Sequence, residues 1–367
     1  MTARAFITGV SGTVLTAAER AFLREAQPWG FILFNRNIRT PQQIRRLLGD
    51  CRDAVGRQAP VLIDQEGGRV QRLGPPHWPH YPPGAVFGRL YDRDCATGLA
   101  AAGLGARLIA SDLRDLGIDV DCLPVADVPA RGASHVIGDR AYGDTPDLVA
   151  AIGGAVAAGL LAGGVLPVLK HLPGHGRAKA DSHSRLPVVK TPRDELEATD
   201  FAAFRPLSRL PLGMTAHVVF SSIDPLAPAT TSATMVAEVI RGFIGFEGLL
   251  MSDDISMGAL KGSLAERSRA ALAAGCDIVL HCNGTLSEMQ VVAAECGRLT
   301  GVPASRAAAA LAARQEPESF DREEARKTFA ALLGRHGAIY ARRLRRSRRR
   351  VITRRRRTRR VGMRGRL

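Results

Sequence analysis

Residues 145–171 read TPDLVAAIGGAVAAGLLAGGVLPVLKH. From Leu148 to Leu169 there are 22 residues without a charge, enough to cross a bilayer as one helix. The run is broken in ways a span would not be. It holds five glycines and Pro167. Thr145-Pro146 fits an N-cap with proline at the first helical position. Gly163-Gly164 fits a helix stop, and Val165–Leu169 fits a buried strand that delivers Lys170 and His171 at its end. The stretch therefore reads as a buried helix, a turn and a strand.

The same kind of apolar run recurs at Ala5–Thr8, Gly30–Asn35, Pro60–Asp64, Ile118–Leu123, Leu212–His217, Gly248–Asp253 and Asp277–Cys282, which with Leu166–His171 makes eight expected strands. Near-continuous apolarity is the mark of strands buried on both faces, as in parallel sheets. Helical patterns lie between most of them. Thr40-Pro41, Thr145-Pro146 and Thr191-Pro192 start helices predicted to reach about Val55, Ala162 and Phe204. Strands alternating with helices make an α/β protein, and eight strands suit a single (β/α)8 TIM-type barrel. An open doubly wound sheet would usually carry a G-x-G-x-x-G fingerprint after its first strand; the sequence has none, and no Walker A pattern.

The chain has 367 residues, 46% hydrophobic and 23% charged, which excludes wholesale disorder, a collagen repeat and a disulfide-stapled miniprotein. Its net charge of +16 is local. Residues 342–367 hold fifteen Arg and no acidic residue, leaving +1 for residues 1–341. We expect one barrel domain over 1–341 and a disordered Arg-rich tail over 342–367, able to bind polyanions such as nucleic acid, anionic lipid or cell-wall polymer. The near-neutral body argues against a broad nucleic-acid surface. The six cysteines include no C-x-x-C pair, so they read as free thiols in a reducing compartment, the cytoplasm. The N-terminal stretch lacks a signal-peptide core.

In a barrel, chemistry sits where strands end. The residues closing the runs include Asn35, Asp64, Lys170 with His171, His217 and Asp253. The loop KHLPGHGRAKADSH (170–183) gathers three His, two Lys, an Arg and an Asp. Asp181 beside His183 would raise and orient an imidazole, making a general acid/base, although a solvated loop with incidental histidines fits the composition too. His171, His175, Asp181 and His183 are also metal-ligand types, but their spacing fits no zinc motif. Asp253 and Asp254 follow a buried strand and could ligate metal, act as base or supply a nucleophile; Ser252 or Asp254 could instead cap a helix. Asp64 near Arg72 suits either sugar hydroxyls or an internal ion pair. Aromatic content is only 5%, and Trp29 falls at a strand's start, away from the chemistry, so recognition should rest on hydrogen bonds and charge.

Taken together, DQEGGRVQR (64–72), KHLPGHG (170–176) with DSH (181–183), MTAHVVF (214–220) and SDDISM (252–257) resemble glycoside hydrolase family 3. The likeness is to its single-domain bacterial β-N-acetylhexosaminidases of peptidoglycan recycling and spans roughly residues 20–300. It implies a (β/α)8 barrel. It implies that Asp253 is the nucleophile, His183 the general acid/base and Asp181 its dyad partner. Asp64, Arg72, Lys170, His171 and Arg140 (in IGDRAYG, 137–143) match substrate-binding positions, and Asp254 is not the family nucleophile. The implied activity is retaining, exo-acting release of GlcNAc from GlcNAc-1,6-anhydroMurNAc muropeptides by a monomer, without metal or organic cofactor. A family 3 β-glucosidase, a nucleic-acid-binding protein acting through the tail, and a metal-dependent hydrolase are the rival expectations.

Overall fold

Each of the eight apolar runs forms a strand: β1 Arg4–Thr8, β2 Pro28–Leu33, β3 Val61–Ile63, β4 Val120–Asp121, β5 Leu166–Leu172, β6 Leu212–Thr215, β7 Leu249–Asp254 and β8 Ile278–His281. The computed structural model describes residues 3–182 and 185–334. The strands pair in sequence order, all parallel, and β8 returns to β1 to close the barrel. Two small two-stranded pieces, Gln65–Gly67 with Val70–Gln71 and Val188–Val189 with Val219–Phe220, sit outside it. The Arg-rich tail lies outside the described residues.

Side chains alternate across a strand, and that period of two sorts the core into two layers. Ile7, Trp29, Leu62, Val120, Leu166, Val168, Leu212, Met214, Leu249, Met251, Ile278 and Leu280 pack with one another inside the barrel. Their neighbours Phe6, Phe31, Val61, Ile63, Leu169, Leu250 and Val279 belong to the separate layer under the helices. Trp29 is buried among the interior residues and is no sugar platform.

The helices include α1 Ala17–Ala26, α2 Pro41–Val55, α3 Gly84–Tyr91, α4 Cys95–Arg114, α5 Pro146–Ala162, α6 Arg193–Ala198, α7 Leu264–Ala274, α8 Leu286–Glu295, α9 Gly301–Ala312 and α10 Arg322–Leu332. Thr40 caps α2 through its side chain, which accepts from the Gln43 N–H. The stretch that could have spanned a membrane is α5, a Gly163-Gly164 turn and β5, with Gly164 at φ +74°, a conformation open to glycine. Among the described residues, no helix is long and apolar enough to cross a membrane.

The helix expected from Thr191-Pro192 to Phe204 is a shorter one. α6 starts at Arg193, ends at Ala198, and a 3-10 segment follows at Ala202–Leu207 with Pro206 inside it. Pro206 has no N–H to give to Ala202, so an α-helix cannot run through it. At the break, Asp200 turns inward to accept from Arg177 at 2.6 Å.

α9 closes the far end of the barrel. Leu299, Ala307 and Ala310 join the interior layer. Arg306 and Arg314 tie this end to Asp277 of the β8 approach and Asp119 before β4, at 3.0 and 2.7 Å. The interior is therefore plugged below, and among the described residues the cavity lies at the end where the strands finish. All six cysteines are free thiols.

Candidate active site

Strand parity delivers the site. Asp64 continues the inward series from Leu62, Lys170 continues it from Leu166 and Val168, and Asp253 from Leu249 and Met251. Arg72 and Arg140 come from loops. With Glu66, His171 and Asp181, these side chains line a cavity of about 400 Å³ at the open end of the barrel.

One chain of alternating charges forms its floor. Arg72 Nη2 lies 2.9 Å from Asp64, Lys170 Nζ is 3.0 Å from Asp64 and 2.6 Å from Glu66, and Arg140 donates twice to Glu66 at 2.8 Å. Burial alone would raise both carboxyl pKa values. The charges of Lys170 and the two arginines outweigh it, holding Asp64 well below the usual range and Glu66 at about 2. Burial pulls Lys170 down, but Glu66 and Asp64 push it well above an ordinary lysine. Asp121 lies close by. Burial pushes it up to about 8, since one Gln65 N–H at 2.9 Å and the Lys170 charge do not offset desolvation. At neutral pH Asp121 is thus a neutral acid.

Asp253 is handled differently. Burial raises it, but His217, His171 and the Asp254 N–H at 2.8 Å hold it below the ordinary carboxylate value. It is an anion facing the cavity. Asp254 also lines the cavity, yet its oxygens are occupied: Oδ1 accepts from the N–H groups of Ser256 and Cys282 at 3.0 and 3.1 Å, and Oδ2 from the Ser256 hydroxyl at 2.7 Å. Neither Asp254 nor Ser252 caps a helix. The next helix, α7, has its own capping box from Ser263 and Glu266, and Ser252 Oγ accepts from Leu280 N–H at 2.9 Å.

The comparisons with known proteins fall on this geometry. The model of the Glycosyl hydrolase family 3 N terminal domain matches residues 9–311. This chain belongs to glycosyl hydrolase family 3. A beta-hexosaminidase of Alkalilimnicola ehrlichii is 44% identical over 281 residues, 75% of this chain and 79% of that protein. The structure of NagZ from Neisseria gonorrhoeae in complex with N-trifluoroacetyl-D-glucosamine matches at TM-score 0.80 and 31% identity, covering 93% of this chain and 99% of that one. A family 3 beta-N-acetylglucosaminidase from Paenibacillus sp. str. FPU-7 matches at TM-score 0.80 and 27% identity, covering 89% of this chain and 66% of that one.

Within this family 3 barrel, the loop after β5 is packed down by its glycines. A Cβ on Gly176 would stand 1.8 Å from the Val128 carbonyl oxygen, so only glycine fits the PGHG turn there. His171 follows Lys170 directly, across a cis peptide. Its Nδ1 is 2.6 Å from Asp127 Oδ2. Asp127 is fully buried and also accepts the His175 N–H at 2.6 Å. Burial would raise Asp127, but the His171 charge, with the His175 charge and N–H, holds it below the ordinary value. The imidazole of His175 is pushed down to about 4 by burial and then by His171, and its Nε2 lies 3.0 Å from Ser182 Oγ. Among the described residues, no group of three or more His, Cys, Asp or Glu is arranged to hold a metal ion.

Of the residues expected at the site, Asp64, Arg72, Arg140, Lys170, His171, Asp181 and Asp253 come together around one cavity. His183 lies outside the described residues. Asp64 and Arg72 do form an ion pair, and that pair lines the cavity. Sequence reasoning overlooked Glu66, Asp127 and Phe34. Glu66 was within reach: it is the next inward residue after Leu62 and Asp64. Phe34 lines the cavity with the Arg36 and Arg72 guanidiniums 5.0 and 5.2 Å from its ring centre. Asp127 gave no signal, since only the folded chain brings it to His171.

We expect Asp127→Asn to cut kcat/KM by roughly 10²-fold, because His171 loses the carboxylate that orients its ring. Steady-state kinetics on an aryl N-acetylglucosaminide checks this. A change below threefold would show that His171 needs no fixed partner.

Proposed function

We propose that this protein is a retaining, exo-acting β-N-acetylglucosaminidase that removes terminal GlcNAc from peptidoglycan fragments of the GlcNAc-1,6-anhydroMurNAc type. The chain is a glycoside hydrolase of the β-N-acetylhexosaminidase type. The observation that supports the finer reading is Asp253, held below the ordinary carboxylate value, at the wall of a cavity that is closed below by barrel side chains. A blind cavity suits one chain end and not the middle of a polymer.

In this reading Asp253 attacks the anomeric carbon as the bond to the leaving oxygen breaks. His183 gives that oxygen a proton, and a covalent glycosyl-enzyme forms. His183 then takes a proton from water, the water oxygen attacks the same carbon from the opposite face, and Asp253 departs as a carboxylate. Two displacements leave the configuration retained. Asp181, at the cavity, would orient His183. Lys170, Arg72 and Arg140 donate toward the sugar, while Asp64 and Glu66 hold those donors in place. His171, backed by Asp127, is a further donor.

The six free thiols suit a reducing compartment, in keeping with a cytoplasmic recycling role. We assign the Arg-rich tail to polyanion contact, separate from the chemistry, and expect a monomer.

The direct test uses 4-nitrophenyl N-acetyl-β-glucosaminide and the matching β-glucoside, with chelator present. Release from the first at least about 10²-fold faster, with the β-anomer of GlcNAc appearing first by NMR, supports the proposal. Equal or preferred glucoside turnover would make the protein a β-glucosidase. Activity lost with chelator and restored by metal would favour a metal-dependent hydrolase. Release of GlcNAc from the natural disaccharide then tests the peptidoglycan assignment.

A further inference from the structure

Next to Asp253, one buried histidine has both ring nitrogens committed. His217, Thr215 and Thr230 are all fully buried. His217 Nε2 lies 3.0 Å from the Asp254 carbonyl oxygen. A carbonyl only accepts, so Nε2 carries the hydrogen. Nδ1 is 2.7 Å from Thr230 Oγ1. Burial pushes the imidazole below its ordinary pKa, which leaves Nδ1 bare and makes the Thr230 hydroxyl its donor. Thr230 Oγ1 then accepts from Thr215 Oγ1 at 2.8 Å, while the Ala216 carbonyl, at 3.1 Å, is the longer alternative for its proton. With Nε2–H on the carbonyl and Nδ1 bare, the bonds run from Thr215 to Thr230, from Thr230 to His217 and from His217 to the Asp254 backbone.

That backbone holds the nucleophile. The Asp254 N–H donates to Asp253 Oδ1 at 2.8 Å, and the same residue's carbonyl receives His217. We propose that His217 is a positioning residue: through the Thr215–Thr230 relay it pins the Asp254 backbone that aims the Asp253 carboxylate. The inference rests on the reading of Asp253 as nucleophile. The charged and titratable groups near Asp253 include His217, His171, Lys170, His175 and Cys282; those near His217 include Asp253, Asp254 and His171.

The test uses the full-length chain with His217→Gln, His217→Met and Thr230→Val. Glutamine can still reach the Asp254 carbonyl with an N–H, whereas methionine fills the space without a donor. The readouts are kcat/KM against pH on an activated aryl N-acetylglucosaminide, thermal midpoints, and labelling of wild type by a fluorinated GlcNAc donor that traps the glycosyl-enzyme. We expect His217→Met to lose roughly 10²-fold and its acidic limb to move up by about half a unit or more, as Asp253 loses stabilisation of its anion. His217→Gln should stay within about fivefold with a smaller limb shift than methionine, and Thr230→Val should move the same way as methionine but less. Equal losses in the glutamine and methionine variants, with unmoved limbs, would reduce His217 to packing and overturn the proposal. If the methionine variant fails to fold, Thr230→Val decides: an unmoved limb there overturns it. Wild-type label found away from Asp253 would sink the nucleophile reading and this inference together. Label on Asp253 with unmoved limbs sinks this inference alone.

Discussion

Asp253→Asn should lower kcat on 4-nitrophenyl N-acetyl-β-glucosaminide by about 10⁴-fold or more. The substitution is nearly isosteric. The asparagine oxygen can still accept the Asp254 N–H that Asp253 Oδ1 accepts at 2.8 Å, so the turn keeps its shape and the loss is chemical. An amide carries no charge to attack the anomeric carbon and cannot serve as the departing carboxylate afterwards. Asp254→Asn is the paired control. Its retained oxygen can accept from Ser256 and Cys282, and its new N–H can donate to the Ser256 hydroxyl, so a loss of no more than about tenfold is expected. A larger loss at Asp254 than at Asp253 would exchange their roles. Wild-type activity should also persist into acid, because Asp253 titrates below an ordinary aspartate. Kinetics from pH 3 to 8 reads that limb.

Lys170→Met should destabilise the fold by about 3–5 kcal/mol at neutral pH. Lys170 is 2% exposed and touches both Asp64 and Glu66. Methionine fills similar space without a charge, leaving two buried carboxylates to Arg72 and Arg140 alone. The sign of the pH dependence follows from the shifts. Asp64 and Glu66 are depressed in the fold, so their contribution is complete above the unfolded carboxylate range, about pH 4 to 4.5, and fades as pH falls toward the Glu66 value of about 2. Lys170 is raised, so its share is complete below about pH 10 and is lost only above that. In the variant the two carboxyls titrate higher and protonate earlier as acid is added. Its deficit against wild type should therefore shrink between pH 7 and pH 4. Urea unfolding at both pH values measures this. A deficit under about 1 kcal/mol at pH 7, or one that grows in acid, would mean that the arginines alone neutralise the cluster.

Much of this protein could be read from local chemistry. The eight strands are visible as apolar runs because both faces of a barrel strand are buried, one by the interior and one by helices. Helix starts at Thr40-Pro41 and Thr145-Pro146 are visible because capping depends on neighbours in sequence. The third start also held, but its helix ends early, where Asp200 turns inward to a distant partner, Arg177. Asp64, Lys170 and Asp253 could be picked out because a strand end projects its last inward residue into the barrel mouth.

What the chain alone could not reveal is who neutralises whom. Glu66 binds Arg140, 74 residues away, and Asp127 meets His171, 44 residues away. Such pairs have no spacing rule, since closure of the barrel and not chain distance sets their approach. The same closure pushes the Asp121 carboxyl up and the His217 imidazole down, because burial, which no sequence pattern states, acts on both. Sequence determined the strands, their order and the reactive residue types. Tertiary structure decided the charge each of them carries.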